Sequence, residues 1–226
     1  MNSPVITDPD RVRAVLADAP MPAVSRDVPP AGIAWLRATV ARFCDGAEHD
    51  RRRGLVVAEL ARLAPEVLRA RARMTDGKLP HVRVLAEALG LQDISLSSVA
   101  VAAAHYQPHE PDSPEADRAV TELVGACGGV ADERTAARIG LLIQACQATG
   151  ALVDNARRLA GAGAADEIIA RTLVEDPPVR RTRRVLDDEL VELDLTGAGL
   201  GFGAGPHVCP GRDHAIAIAT GIIEGS

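Results

Sequence analysis

The stretch Leu200-Gly-Phe-Gly-Ala-Gly-Pro-His-Val-Cys-Pro-Gly211 decides how the rest of the chain is read. Four glycines and two prolines surround a single cysteine, and an apolar run at helical spacing, residues 215–223, follows at once. Such a composition describes a stiff loop that presents a thiol at the start of a helix. Pro210 suits a first helical position, where its missing N–H costs nothing. A sulfur placed there meets unpaired backbone donors and the positive end of the helix dipole, both of which favour thiolate over thiol. The glycines allow a large flat ligand to approach the backbone closely. A thiolate held this way is one of the known proximal ligands of haem iron. The plainer alternative is a Gly-rich turn around a buried, inert cysteine that behaves as a small hydrophobe.

Composition narrows the class. A chain of 226 residues can bury a sizeable core, read here as one domain over 1–226. Aromatic content is only 2%, while Ala, Leu, Val and Arg abound, which predicts a mainly α fold packed through small aliphatic side chains, with little β. The net charge of −6 speaks against a nucleic-acid surface. No apolar run reaches the ~20 residues of a membrane span. The start, Met1-Asn-Ser-Pro-Val-Ile-Thr-Asp8, lacks the basic and apolar parts of a signal peptide. Cys44, Cys127, Cys146 and Cys209 stand far apart without zinc spacing, as do His81, His105 and His109. A reducing cytoplasm is the expected location.

The pattern Phe202-x-x-Gly205-x-His207-x-Cys209-x-Gly211 resembles the cysteine-ligand loop of the cytochrome P450 haem-thiolate proteins, and every defined position matches. Further segments extend the resemblance. Thr7-Asp-Pro-Asp10, followed by Val12 and Leu16, is similar to an early capped helix of the bacterial members. Asp45-Gly-Ala-Glu-His-Asp-Arg-Arg-Arg53 resembles their C helix, where the His and Arg equivalent to His49 and Arg53 hold a haem propionate. Four residues apart, His49 and Arg53 project from one helix face. Taken alone, three arginines beside Glu48 and Asp50 would read as a solvated basic face.

Residues 132–153 carry apolar side chains on nearly all sides, as a buried central helix does. This segment resembles the family's I helix, but with Ala145-Cys-Gln-Ala-Thr149 where the family has a small pair followed by an acid and a threonine. Thr149 keeps the alcohol, Ala148 replaces the acid, and Gln147 compensates only if it turns towards the haem. Thr149 reads equally as a helix hydroxyl bonded back to the preceding turn. Aligned on Pro177-Pro178, the family's K-helix Glu-x-x-Arg pair is absent. Glu167 and Arg171, spaced i,i+4, are a candidate substitute. Arg183 or Arg184 falls where the family offers a second propionate partner. The Ala/Gly-rich bend at 160–165 reads as a hinge.

The resemblance therefore implies an abbreviated, bacterial-type member with a reduced helical fold. Haem b would be the cofactor, Cys209 the axial ligand with Phe202 shielding its sulfur, and His207, His49, Arg53 and Arg183 or Arg184 the propionate partners. The implied activity is oxidation of a small organic molecule, as a monooxygenase or peroxygenase, with a ferredoxin-type reductant or peroxide and an open distal side that a second copy of the chain could complete. The alternative is a degenerate P450-fold accessory protein that activates a partner enzyme, favoured by the two altered motifs.

Overall fold

Prolines open four of the helices, at the first-turn position where the absent N–H has no partner to lose. The structure, a computed structural model, describes residues 3–226 apart from 160, 162 and 198, so part of the bend at 160–165 lies outside the described residues. In chain order the elements are β1 (Val5–Ile6), α1 (Pro9–Asp18), α2 (Gly32–Thr39), α3 (Gly46–Leu60), α4 (Pro65–Arg73), α5 (Pro80–Ala88), α6 (Leu96–Ala104) and α7 (Pro114–Ala126). They continue with α8 (Glu133–Leu159), α9 (Ala165–Glu175), β2 (Arg181–Leu186), β3 (Glu189–Asp194) and α10 (Arg212–Glu224). Side chains of Asp8, Ser95, Ser113 and Asp132 accept from otherwise unpaired first-turn amides of α1, α6, α7 and α8. The mainly α character read from composition is what the chain adopts.

Helix α8 is the axis of the molecule. Its Ile139, Leu142, Ile143, Leu152 and Val153 are buried, and α3, α5, α6, α9 and α10 pack around it. Among the described residues it is the one helix long and apolar enough to cross a membrane, which the run-length reading of the sequence missed. Half of that apolar window is buried, as befits a core helix.

Helices α4 and α10 lie closest together. A Cβ at Gly221 would run into the carbonyl oxygen of Arg69, and one at Gly225 into that of Arg73. Arg69 then crosses from α4 to α9 and α10: it pairs with both oxygens of Asp166, at 3.0 and 2.6 Å, and its Nε donates to Glu224 at 3.1 Å. Gly221→Val must push the two backbones apart. It is expected to cost about 2–3 kcal/mol and lower the Tm by roughly 5–10 °C, read by thermal denaturation.

The sheet has the order β1-β3-β2, with β1 parallel and β2 antiparallel to β3. Asp187 and Asp188, both at positive φ (51° and 63°), make the two-residue turn that matches strand twist. Alternate residues Val191, Leu193 and Leu195 face a second small core with Val12 and Leu16 of α1 and Leu200. This packing carries the β2–β3 hairpin directly into the cysteine loop.

Candidate functional site

The cysteine loop is built by backbone bonds. Gly203 N–H donates to Leu200 (2.7 Å), Cys209 N–H to Phe202 (2.8 Å) and Val208 N–H to Gly205 (3.1 Å). Gly205, at φ 65°, seats the loop on α1: a Cβ there would lie 2.7 Å from the Cα of Ala17. Gly205 thus serves loop-to-helix packing and does not line the cavity, contrary to the expectation of a ligand contact. Pro210 precedes Gly211, the residue before the first turn of α10, and so falls short of the first helical position. The Cys209 surface opens onto a cavity while protein packs around it. That packing pushes the thiol above its ordinary pKa, against the pull of the Gly211 amide and the Arg53 and Arg42 guanidiniums. In the protein alone, desolvation outweighs the helix terminus that the sequence reading credited with favouring thiolate.

The cavity measures about 1370 Å³, above the roughly 300–1,000 Å³ typical of a pocket for one drug-sized ligand. It is walled by the cysteine loop, α3, β2 and α8, which brings Phe202, His207, Cys209 and Gly211 together with His49, Arg53, Arg183, Arg184, Gln147 and Thr149. The three consecutive arginines of α3 leave the helix in different directions, about 100° apart. Arg51 reaches Glu133 at the surface. Arg52 is buried, bonding the Ala38 carbonyl at 2.8 Å and Glu133 at 2.9 Å, which ties α3 to α2 and α8. Arg53 bonds the Val208 carbonyl at 2.7 Å and so braces the cysteine loop. His49, buried, lies against His207 with ring centroids 4.1 Å apart and the rings tilted by 45°, and His207 Nε2 lies 3.0 Å from Asp45. Burial is the main cause that holds the His207 pKa below its ordinary value, and the Asp45 bond works against it.

The strand arginines divide sharply. Arg183 pairs with Glu192 across the hairpin, its Nη2 at 3.1 Å. Arg184 is 3% exposed; among the described residues its side chain bonds only the Arg183 carbonyl (2.8 Å) and the Thr182 hydroxyl (3.4 Å), and its buried Nε has no partner. Burial, then the charge of Arg42, push its pKa down to about 10, with Asp45 acting the other way. A buried guanidinium on a cavity wall, with no carboxylate paired to it among the described residues, is a site for an anion.

On the opposite wall, Gln147 turns aside: its amide donates to the Ala103 carbonyl at 2.7 Å and staples α8 to α6. It does not stand in for the acid missing at Ala148. Thr149 is 3% exposed and, unlike Thr172, makes no bond to the preceding turn of its helix among the described residues. Glu167 and Arg171 do not pair. Glu167 accepts from the Ala164 amide at its own helix start, and Arg171 donates to the Leu159 carbonyl. The nearby lock is Asp176, whose carboxylate takes Arg180 and Arg158 while its carbonyl accepts from Asn155. The i,i+4 spacing of Asp176 and Arg180 was legible in the sequence, but Asn155 and Arg158 of α8 are brought to them only by folding. The Arg180 and Arg158 bonds hold the Asp176 carboxyl below its ordinary pKa. The stabilisation is therefore complete above the ordinary Asp value of about 3.9 and fades as pH falls below it; Asp176→Asn is expected to remove that part of the acid-unfolding slope.

No family model matches the sequence, and the comparison with curated proteins found no match. Solved structures are similar over nearly its whole length. The P450BioI structure in complex with an acyl carrier protein ligated to hexadec-9Z-enoic acid is 15% identical, with a TM-score of 0.67 over 97% of this chain and 83% of that one. Mycobacterium smegmatis CYP164A2 with econazole bound is 18% identical, with a TM-score of 0.69 over 97% and 82%. CalO2 is 17% identical, with a TM-score of 0.63 over 97% and 81%. At these identities the likeness is one of architecture. The chain has a cytochrome P450-like fold.

Proposed function

We propose that this protein binds haem b as a haem-thiolate enzyme, with Cys209 as the axial ligand, and oxidises a small organic molecule. The observation that carries this reading is the unneutralised, buried Arg184 on the same cavity as Cys209. A haem presents an iron to a thiolate at its centre and two carboxylates at its edge, which is what these residues lack. His207, His49 and Arg53 stand on the same wall as further donors for those carboxylates. When bound, thiolate-ligated haem supplies the electron push that favours O–O cleavage.

This chain's own residues then orient and exclude. Phe202, with the Arg212 guanidinium 5.6 Å from its ring centroid, covers the loop beside Cys209. Thr149 offers a hydroxyl on the α8 wall, but position 148 carries no titratable group and Gln147 is committed to Ala103. General acid catalysis needs such a group within reach. Peroxide is accordingly the favoured co-substrate: one of its oxygens enters a C–H bond of the substrate and the other leaves as water. A ferredoxin-type reductant with dioxygen is the less supported route. The test is to purify the protein with haem supplied, reduce it, add carbon monoxide and record the visible spectrum. A thiolate-type Soret band is expected. A protein that takes up no haem removes this reading and leaves the accessory-protein alternative.

A further inference from the structure

Two histidines outside the haem reading meet the cavity in different ways. His214, in the first turn of α10, holds its Nε2 between the Leu60 and Leu63 carbonyls, at 3.1 and 3.0 Å, and its Nδ1 is sealed in protein. His81, in the first turn of α5 and 5% exposed, also has its Nε2 on a carbonyl, that of Cys146 on α8 at 3.1 Å. Its Nδ1 has no partner among the described residues and is not sealed; it opens on the cavity that His81 lines. The chain departs twice from ordinary backbone preference to seat this ring. Leu79, which starts α5, takes φ 49° and ψ 52°, the left-handed region that disfavours a residue with a Cβ. Gly150 interrupts α8 at the contact: a Cβ there would lie 3.0 Å from Nε2 and 3.1 Å from Cε1. Glycine inside a helix and leucine at positive φ each cost stability, and strain of the second kind gathers at ligand sites. A carbonyl only accepts, so Nε2 carries the proton. Burial pushes the His81 pKa below its ordinary value, against the Cys146 bond and the Asp154 charge, so the ring is neutral at about pH 7 and Nδ1 presents a lone pair. Within a helical turn, the cavity residues Leu85, Cys146 and Val153 offer it no strong donor, and Arg157 is turned to Asp154 and Ser226.

Water meets such an acceptor until a ligand displaces it, and a ligand without a donor loses that bond. We infer that His81 Nδ1 is a hydrogen-bond-accepting subsite of the cavity, taking the hydroxyl or amide N–H of an otherwise apolar substrate. That this ligand is a substrate rests on the haem reading; that a donor is selected rests on His81 alone. The volume above that of a single-ligand pocket leaves room for it beside a haem.

The test uses haem-loaded protein and titration calorimetry with decan-1-ol and with its isomer methyl nonyl ether. Both oxygens accept a hydrogen bond, but only the alcohol donates one. The alcohol is expected to bind roughly 3–10-fold more tightly, the worth of one neutral hydrogen bond. His81→Gln keeps an amide within reach of the Cys146 carbonyl and removes the acceptor at Nδ1. It should abolish the preference while leaving ether binding and haem affinity within about twofold, since neither uses that nitrogen. His81→Asn is the converse variant. Its amide oxygen stands near the position of Nδ1 and its Cys146 bond is given up, so the preference should persist at a lower Tm. Equal affinity of the wild-type protein for the two isomers overturns the inference, as does an undiminished preference in His81→Gln. A protein that takes up no haem yet keeps a His81-dependent preference overturns the haem reading alone.

Discussion

Cys209→Ala is expected to fold normally and to lose the thiolate-type Soret band of the reduced carbon monoxide complex entirely. Folding should survive because the loop does not hang on the sulfur, which receives the Gly211 amide but bridges no other part of the fold among the described residues. Its shape is held by the Leu200, Phe202 and Gly205 carbonyls and by Arg53 on the Val208 carbonyl. The side chain itself opens onto the cavity, so its truncation leaves no packed void of the kind that costs core mutants several kcal/mol. The Tm should move by no more than ~2 °C, the range of a surface substitution of about 0.5 kcal/mol. Some haem should remain, held by its carboxylate edge. A variant that keeps the wild-type spectrum would show that another residue ligates the iron, and the assignment of Cys209 would fall.

The second large effect has two opposite signs. Arg184→Met should weaken haem binding by on the order of 30–100-fold, the loss of a buried charge-assisted bond worth about 2–3 kcal/mol. The same substitution should stabilise the haem-free protein. Holding this guanidinium folded with its pKa down to about 10 costs on the order of 3 kcal/mol, and methionine fills the space without a charge. Arg183→Met is the control. Its guanidinium already has Glu192, so haem affinity should change little while the hairpin loses a partly exposed ion pair worth about 1 kcal/mol or less. Haem titration and thermal denaturation of both variants, with and without haem, separate these outcomes. Equal effects of the two substitutions on haem affinity would remove Arg184 from its role.

The divergence between Arg183 and Arg184 shows where sequence reading stops. Both residues line the cavity, but adjacent strand residues point to opposite faces and so meet different neighbours. Which one is paired depends on the register of β2 against β3, where Arg183 lies opposite Glu192 and Arg184 opposite Val191. The triple arginine of α3 poses the same question on a helix. Read as a line, residues 51–53 resemble a solvated patch. Folded, they become a surface pair, a buried strut and a loop brace. Gln147 and the pair Glu167 and Arg171 carried spacing consistent with the roles expected of them, and each was drawn elsewhere by a carbonyl or amide that packing placed nearer.

What the amino-acid order determined by itself is local. It set the caps and prolines that start α1, α6 and α7, the all-round apolarity that makes α8 the central helix, and a loop pattern specific enough to name its architecture. These depend on residues within a few positions of one another, whose spacing is the same in one dimension as in three. Tertiary structure alone decided which charges are satisfied. Arg52, Arg53 and Arg183 found carbonyls or carboxylates 9 to 155 residues away, while Arg184 was buried beside the cavity with its Nε left unpaired. An unmet hydrogen bond exists only when burial has removed water and no protein group has replaced it. Only the packed chain can show both conditions, and the candidate function follows from them.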